Sequence, residues 1–524
     1  MQSIDVALRR NASDVFGVPG IGSAGAFIAA HVTLPAATGL VERIRVFLVR
    51  RVPLLLALVL IVQLLGGVLA DPTRAIAPVM STAATVAGAV TSGAATASAA
   101  AASIRASVSV AAGSAALQSI AVAAHVDPAE RDAAFVLLDS TRVTPAVAGN
   151  PRAVDRILDA ALPATRVAAW WSTLTVAQRT DLAAASPTLV GNLDGVPLDD
   201  RIAANREAAA RALAAYPRNG SDLASVEASY LARVASGAVS LYAFDVARDA
   251  IVEIIGDAVA ATRALVFTPG TTASLSDFYG GSMQSLASWE VEHAAASDPT
   301  VAFVYKIGSF PQWSITDGPL DNQRSIELGV LFDRFNDGLD TTVVGALART
   351  SVEHSFGSSI GGVAETLGTH FATRIVLGGV GMLAGWQPST TTRYVAYVAG
   401  NDVTRYIYGL AAGDDVGYAV APSAVHGFEQ KDPQLQSDAW YLPLRLIGSI
   451  VGPAIEVAQG FINHNRVASA DDNGSVLASI LSDVASAGEI IGDSISSSGD
   501  VPETPAAPHL ELLVLSAREM RAEQ

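Results

Sequence analysis

Along the chain, the spacing of apolar and polar positions changes character several times, and each change predicts a different kind of element. From Val52 to Ala70 the residues are VPLLLALVLIVQLLGGVLA, a charge-free apolar run. At about 19 residues and ~1.5 Å of rise per residue, a helix here nearly spans a hydrocarbon core of about 30 Å. Arg43, Arg45, Arg50 and Arg51 precede the run and Asp71 follows it. By the positive-inside rule this asymmetry keeps the N-terminus cytoplasmic and sends everything after Asp71 outward. An uncleaved anchor is the first reading. A cleaved signal stands beside it, because Val68-Leu69-Ala70 imitates a small-x-small cleavage site and a translation start near Val41 would supply the short basic leader of a secretory signal.

Beyond the apolar run, Ala, Ser, Thr, Val and Gly dominate as far as Asp127 with little periodicity, which suits small-residue helices or a stalk. Asp127-Pro128 then reads as a helix start, and segments such as RAVDRILDAAL and DDRIAANREAAARALAAY alternate apolar and charged faces at helical spacing. Trp170 and Trp171 belong to this region and read as core residues. From Leu241 the period switches. LYAFDV and DAIVEIIG predict a hairpin, while ALVFTPG and VAFVYKIG are apolar runs ending at Gly, as buried strands do. Strand candidates at 349–353, 373–378 and 394–399 then alternate with helical segments such as SIELGVLFDRFNDGL, which predicts an α/β layered domain. The chain thus divides into an N-terminal segment, cytoplasmic or mis-assigned (1–51), the transmembrane or signal helix (52–70), the helical or stalk segment (71–126), a helical region (127–239), an α/β core with a mostly parallel sheet (240–483), and a tail (484–524) rich in Ser, Gly, Asp and Pro.

Composition narrows the functions. The net charge is -17, and Lys306 and Lys431 are the only lysines among the basic residues. Such a chain gains nothing from counterion release on a polyanion, so nucleic acid is excluded as a partner. Cysteine is absent, which removes disulfides, thiolate chemistry and cysteine-ligated metals. No metal or organic cofactor is implied.

The remaining chemistry gathers around Ser355. The segment Val352-Glu353-His354-Ser355-Phe356-Gly357-Ser358 follows a strand candidate and leads into a helix beginning near Ser359. A serine nucleophile needs such a turn, which exposes its Oγ and aims the next backbone N–H at a developing oxyanion. Small residues two before and two after the serine let the chain bend; Gly357 supplies one, and Glu353 occupies the other place. An acid and then a histidine follow the nucleophile in this arrangement. Asp402 lies just past a strand candidate, with Asp414 and Asp415 as spares. His464 is the first candidate base and His426 its rival, while His509 sits in the tail. Asp402 would orient His464, which would take the proton of Ser355. The oxyanion donors would be the N–H of Phe356 and one from the turn at Gly270 and Thr271.

These residues resemble a family of actinobacterial α/β-hydrolases of unassigned substrate. The resemblance spans roughly 164–483 and is carried by Trp170-Trp171, by Gly191-Asn192-Leu193-Asp194-Gly195-Val196-Pro197, by Asn205-Arg206, by the Thr268-Pro269-Gly270-Thr271 turn and by His354-Ser355-Phe356-Gly357-Ser358. The elbow of that family reads Gly-His-Ser-Tyr-Gly-Ser, so Glu353 and Phe356 depart from it. The resemblance implies the α/β-hydrolase fold and a serine hydrolase; the apolar run 52–70 places it at the membrane or exports it, and an apolar protein at an envelope suits a small-molecule or lipid-like acyl substrate. The alternative is an envelope binding or scaffold protein that keeps the fold without the chemistry, because Glu353 stands where the elbow normally packs tightly.

Overall fold

The computed structural model describes residues 113–216, 222–312, 318–399, 402–404, 417–425, 427–433, 435, 460–470 and 473–486. The segments 1–51 and 52–70, most of 71–126 and the tail beyond 486 lie outside them. Among the described residues no helix is long and apolar enough to cross a membrane. Eight strands form one sheet: β1 (Ser240–Asp245), β2 (Ala250–Ile255), β3 (Arg263–Thr268), β4 (Thr300–Lys306), β5 (Ala348–His354), β6 (Thr373–Leu377), β7 (Arg393–Tyr397) and β8 (Phe428–Lys431), in the order β1-β2-β4-β3-β5-β6-β7-β8. β2 runs antiparallel to both of its neighbours. The other pairings are parallel. The protein is thus an α/β fold on a mostly parallel sheet. The hairpin expected in LYAFDV and DAIVEIIG is β1 and β2. β8 has no counterpart in the apolar pattern, since Phe-Glu-Gln-Lys is too short and too polar to show one, and as an edge strand beside β7 it leaves Glu429 and Gln430 exposed.

A parallel sheet must be covered on both faces, and alternate strand residues serve two separate cores. Val266, Phe303 and Tyr305 pack with Phe332 and Phe335 of the helix Asn322–Asp340 and with Ile360 and Val363 of the helix Gly357–Leu367. On the other face Phe267, Val304, Val352, Ile375 and Leu377 meet Leu286 of the helix Ser285–His293 and Leu477 and Ile480 of the helix Gly474–Ala485. That last helix runs slightly past the boundary expected at 483. Part of the expected helical or stalk segment is a helix over 113–124, and its Ile120 is buried in the first core.

The region before the sheet is helical, beginning with Pro128–Thr141, whose first turn is capped by Asp127 Oδ1 accepting from the Ala129 N–H at 2.8 Å. Trp170 and Trp171 sit in this region's own apolar core, their indole N–H groups donating to Asp139 and Asp200. Its functional contribution to the fold is made at β1. An edge strand offers a row of unpaired backbone groups, and here side chains pair them. Asn192 accepts the N–H of Phe244 at 2.9 Å and donates to its carbonyl at 3.0 Å, copying one residue of a neighbouring strand. Asn205 Nδ2 donates to Leu241 O at 3.1 Å, and Arg201 Nε to Tyr242 O at 3.0 Å. Arg201, itself buried, is held by Asp194 at 2.7 Å. The Gly-Asn-Leu-Asp-Gly series and Asn205 therefore cap a sheet edge.

Two outcomes follow. Asn192→Ala strands both backbone groups of Phe244 and should cost about 2 kcal/mol, read as a lower denaturant midpoint; an unchanged midpoint would mean that water replaces the amide without loss. Glu290 is buried with neither carboxyl oxygen partnered, and burial, then the nearby Asp483, push its pKa up to about 8. The unfolded chain releases this proton near pH ~4.3 while the folded chain keeps it, so stability is fullest below that pH and is lost as the pH rises toward 8. Glu290→Gln should therefore raise the melting temperature at pH 8 and leave it almost unchanged at pH 4.

Candidate active site

β5 ends at His354, and Ser355 joins it to the helix Gly357–Leu367 with φ of +54°. A non-glycine residue pays roughly 1–2 kcal/mol for that left-handed backbone, and local hydrogen bonds hold it. The Ser355 N–H donates to Leu377 O at 3.0 Å; its carbonyl accepts from the Val380 N–H at 3.1 Å and from Ser358 Oγ at 2.8 Å. Gly357 is required, because a Cβ there would fall 2.7 Å from Thr268 O. The strand, strained serine and helix form the sharp turn that the motif called for.

Glu353 has no room problem, for a reason that lies on other elements. It faces the helix Gly357–Leu367 from β5, and a Cβ on Gly361 of that helix would lie 2.1 Å from Glu353 Oε1. The missing side chain of Gly361 is the space the glutamate uses. Glu353 is fully buried, and Arg374 of β6 meets it in a two-pronged ion pair, Nη2 to Oε2 at 2.6 Å and Nε to Oε1 at 2.9 Å. Ser351 Oγ donates to Oε1 at 2.7 Å. Arg374 also donates to Ser358 O at 3.1 Å, in the first turn after the serine, and through Nη1 to Glu365 at 2.7 Å. Tyr394 and Trp386 complete the coordination of Glu365. Burial disfavours the charge on Arg374, but the carboxylates of Glu353 and Glu365 outweigh it and hold the guanidinium protonated.

The candidate acid and base lie beyond β7 along the chain. Asp402 follows β7 and is buried, and His464, in a helical stretch over 460–466, donates from Nδ1 to its Oδ1 at 3.1 Å and lies 3.3 Å from Oδ2. Thr404 fixes the carboxylate with its N–H at 2.8 Å and its hydroxyl at 2.7 Å. Burial alone would raise the pKa of Asp402, yet His464 and the bonds from Thr404 bring it below the usual carboxylate value. A donor at Nδ1 leaves Nε2 of neutral His464 as the acceptor, the tautomer a general base requires. The pair lies against Gly378, where a Cβ would be 2.7 Å from His464 Nδ1 and 2.9 Å from Asp402 Oδ2. Gly378 adjoins Leu377, whose carbonyl takes the Ser355 N–H, so serine, histidine and aspartate gather at one sheet end. No hydrogen bond joins the Ser355 hydroxyl to His464 among the described residues; such contacts are often loose without substrate.

The turn expected to hold an oxyanion follows β3. A Cβ on Gly270 would lie 2.7 Å from Ser355 Cβ, so Gly270 lines the serine directly. The Thr272 N–H is taken by Pro311 O at 2.8 Å. Among the described residues no acceptor takes the N–H of Phe356, Gly270 or Thr271, which leaves these available. His426, Asp414 and Asp415 lie outside the described residues. Sequence reasoning passed over Thr404, Arg374, Gly361 and a role for His354, whose ring lies 4.8 Å from that of His464. Only Thr404, two residues after the acid, carried a local signal, because Asp-x-Thr favours this side-chain-to-backbone bond.

No family model, curated protein or solved structure matches this chain.

Arg374→Met should be among the most damaging substitutions away from the serine. It leaves Glu353 and Glu365 buried without their cation, a loss of about 3–5 kcal/mol. Chemical denaturation measures it; a variant as stable as the wild type would show that the ion pair does not support the turn.

Proposed function

We propose that the protein is a serine hydrolase of the α/β-hydrolase fold, acting on ester or related acyl bonds with Ser355 as nucleophile, His464 as base and Asp402 as its orienting acid. The observation that carries this reading is the left-handed Ser355 at a strand-to-helix turn, with a hydrogen-bonded Asp402–His464 pair at the same sheet end. The chain order serine, aspartate, histidine is that of α/β-hydrolases. His464 Nε2 takes the Ser355 proton as Oγ attacks the acyl carbon, and Asp402 stabilises the imidazolium. The tetrahedral oxyanion receives the N–H of Phe356 and of Gly270 or Thr271. His464 then returns the proton to the leaving group, and water repeats the cycle on the acyl-enzyme.

Ser355 and His464 are only 5% and 6% exposed, which favours reactants that leave water. An acyl ester suits such a site better than a charged substrate. Placement at the envelope, by anchor or export, follows from residues 52–70 and their flanking arginines.

A fluorophosphonate probe should label the wild-type chain at Ser355 and leave Ser355→Ala untouched. His464→Ala should lower the labelling rate by at least ~10³-fold. Absence of labelling in folded wild-type protein would favour the binding or scaffold reading instead.

A further inference from the structure

The hydrolase reading leaves one histidine of the elbow without a task. His354 is the last residue of β5, immediately before the serine, and alternation along the strand puts it on the face opposite Glu353. On that face lies the stretch 460–466. The His354 Nε2–H donates to the backbone carbonyl of His464 at 3.0 Å, and the two imidazoles lie 4.8 Å apart with their planes inclined by 39°. A carbonyl only accepts, so this bond requires the proton on Nε2 and leaves Nδ1 bare. Nδ1 points to the oxyanion turn, where a Cβ on Gly270 would be 3.1 Å from it.

We propose that His354 is a positioning residue, tying the segment that carries the base to the strand end that carries the nucleophile. Within this chain Ser355 and His464 are separated by more than a hundred positions, and the side chain of His354, the residue before the serine, adds a direct bond to the backbone of His464 beside the contacts made through Leu377, Gly378 and Asp402. Asp402 fixes the rotation of the His464 ring; His354 fixes the backbone beneath it. A second histidine this close is tolerable only while uncharged, because His464 must accept a proton during the reaction. Burial first, and the neighbouring His464 second, push the pKa of His354 down to about 3. The groups that face it are His464 and Asp402, and across neutral pH it stays a neutral donor.

The proposal rests on the hydrolase reading for its purpose, but its test uses no substrate. In full-length chain carrying ¹⁵N-histidine, the ring shifts of His354 should report a neutral Nε2–H tautomer, flat from pH 5 to 9. A protonated Nδ1, or titration in that window, overturns the clamp whatever any variant does. The Nδ1–H resonance of His464, assigned by its loss in His464→Gln, should exchange with solvent about tenfold faster in His354→Phe, which keeps the ring and loses the donor. His354→Gln, which keeps a donor, should restore it to within about threefold. Equal exchange in folded wild type and His354→Phe would make His354 a packing residue. Fluorophosphonate labelling separates the two ideas, since a chain that never labels loses the hydrolase reading while these shifts still decide the clamp.

Discussion

A carboxylate shut away from water stays charged only where a cation or several hydrogen-bond donors meet it in place, and the turn at Ser355 is built on one such meeting. Glu353 and Arg374 are both fully buried, on neighbouring strands, and Arg374 reaches past Glu353 to the Ser358 carbonyl. The guanidinium therefore binds three things at once: the strand before the serine, the first turn of the helix after it, and, through Glu365, the end of that helix. In this chain the strand before the serine and the helix after it are joined by an ion pair, and Gly361 on the helix leaves the space that Glu353 fills. Glu353 is thus accommodated by residues eight positions downstream and on the next strand. Replacing an apolar contact by a buried pair gains little stability by itself, since desolvation offsets most of the attraction. What it adds is geometric: Arg374 has a fixed planar fork, and its bonds set where the helix begins.

The same division of labour explains the series near Gly191 and Asn205, which on sequence alone looks as specific as a catalytic motif. Asn192, Asp194, Arg201 and Asn205 each answer a backbone group of β1 or orient one that does. Asn192 substitutes for a missing strand, Asn205 and Arg201 continue it, and Asp194 holds Arg201 and the Tyr242 hydroxyl together. The helical region is therefore part of how the sheet ends. It stands far along the sheet from β5, and its motif speaks to architecture.

What the sequence made legible follows from the range of the signals. Strands buried on both faces read as apolar runs, so β1 to β7 could be seen, whereas β8, polar and at the edge, could not. Ser355, Asp402 and His464, which meet at one sheet end, could be proposed together because a turn motif and an order along the chain are one-dimensional facts. The compensation of Glu353 by Gly361 and Arg374 was not, because it lives in the pairing of β5 with β6 and in the packing of a helix across them. Ser351 opposite Arg374 in that register is the link, and no local pattern announces it. The bond from His354 to His464 is longer still in sequence, and nothing around His354 in the sequence announces it.

These observations bear on the choice between an enzyme and a silent fold. A scaffold needs its sheet, its two cores and its capped edge, all of which would stand with an unstrained residue at 355. A scaffold gains nothing from a left-handed serine at that sheet end, although Ala161 and Asp249 carry the same roughly 1–2 kcal/mol cost away from it. Nor does it need Asp402, which is buried and ionised only because His464 and Thr404 satisfy it. Buried charges and strained residues are retained where the surrounding structure is arranged to hold them, and they gather where chemistry is done. Here both are present within one sheet end, tied together by Leu377, Gly378 and His354. The expense of maintaining that arrangement is what weighs toward a working hydrolase.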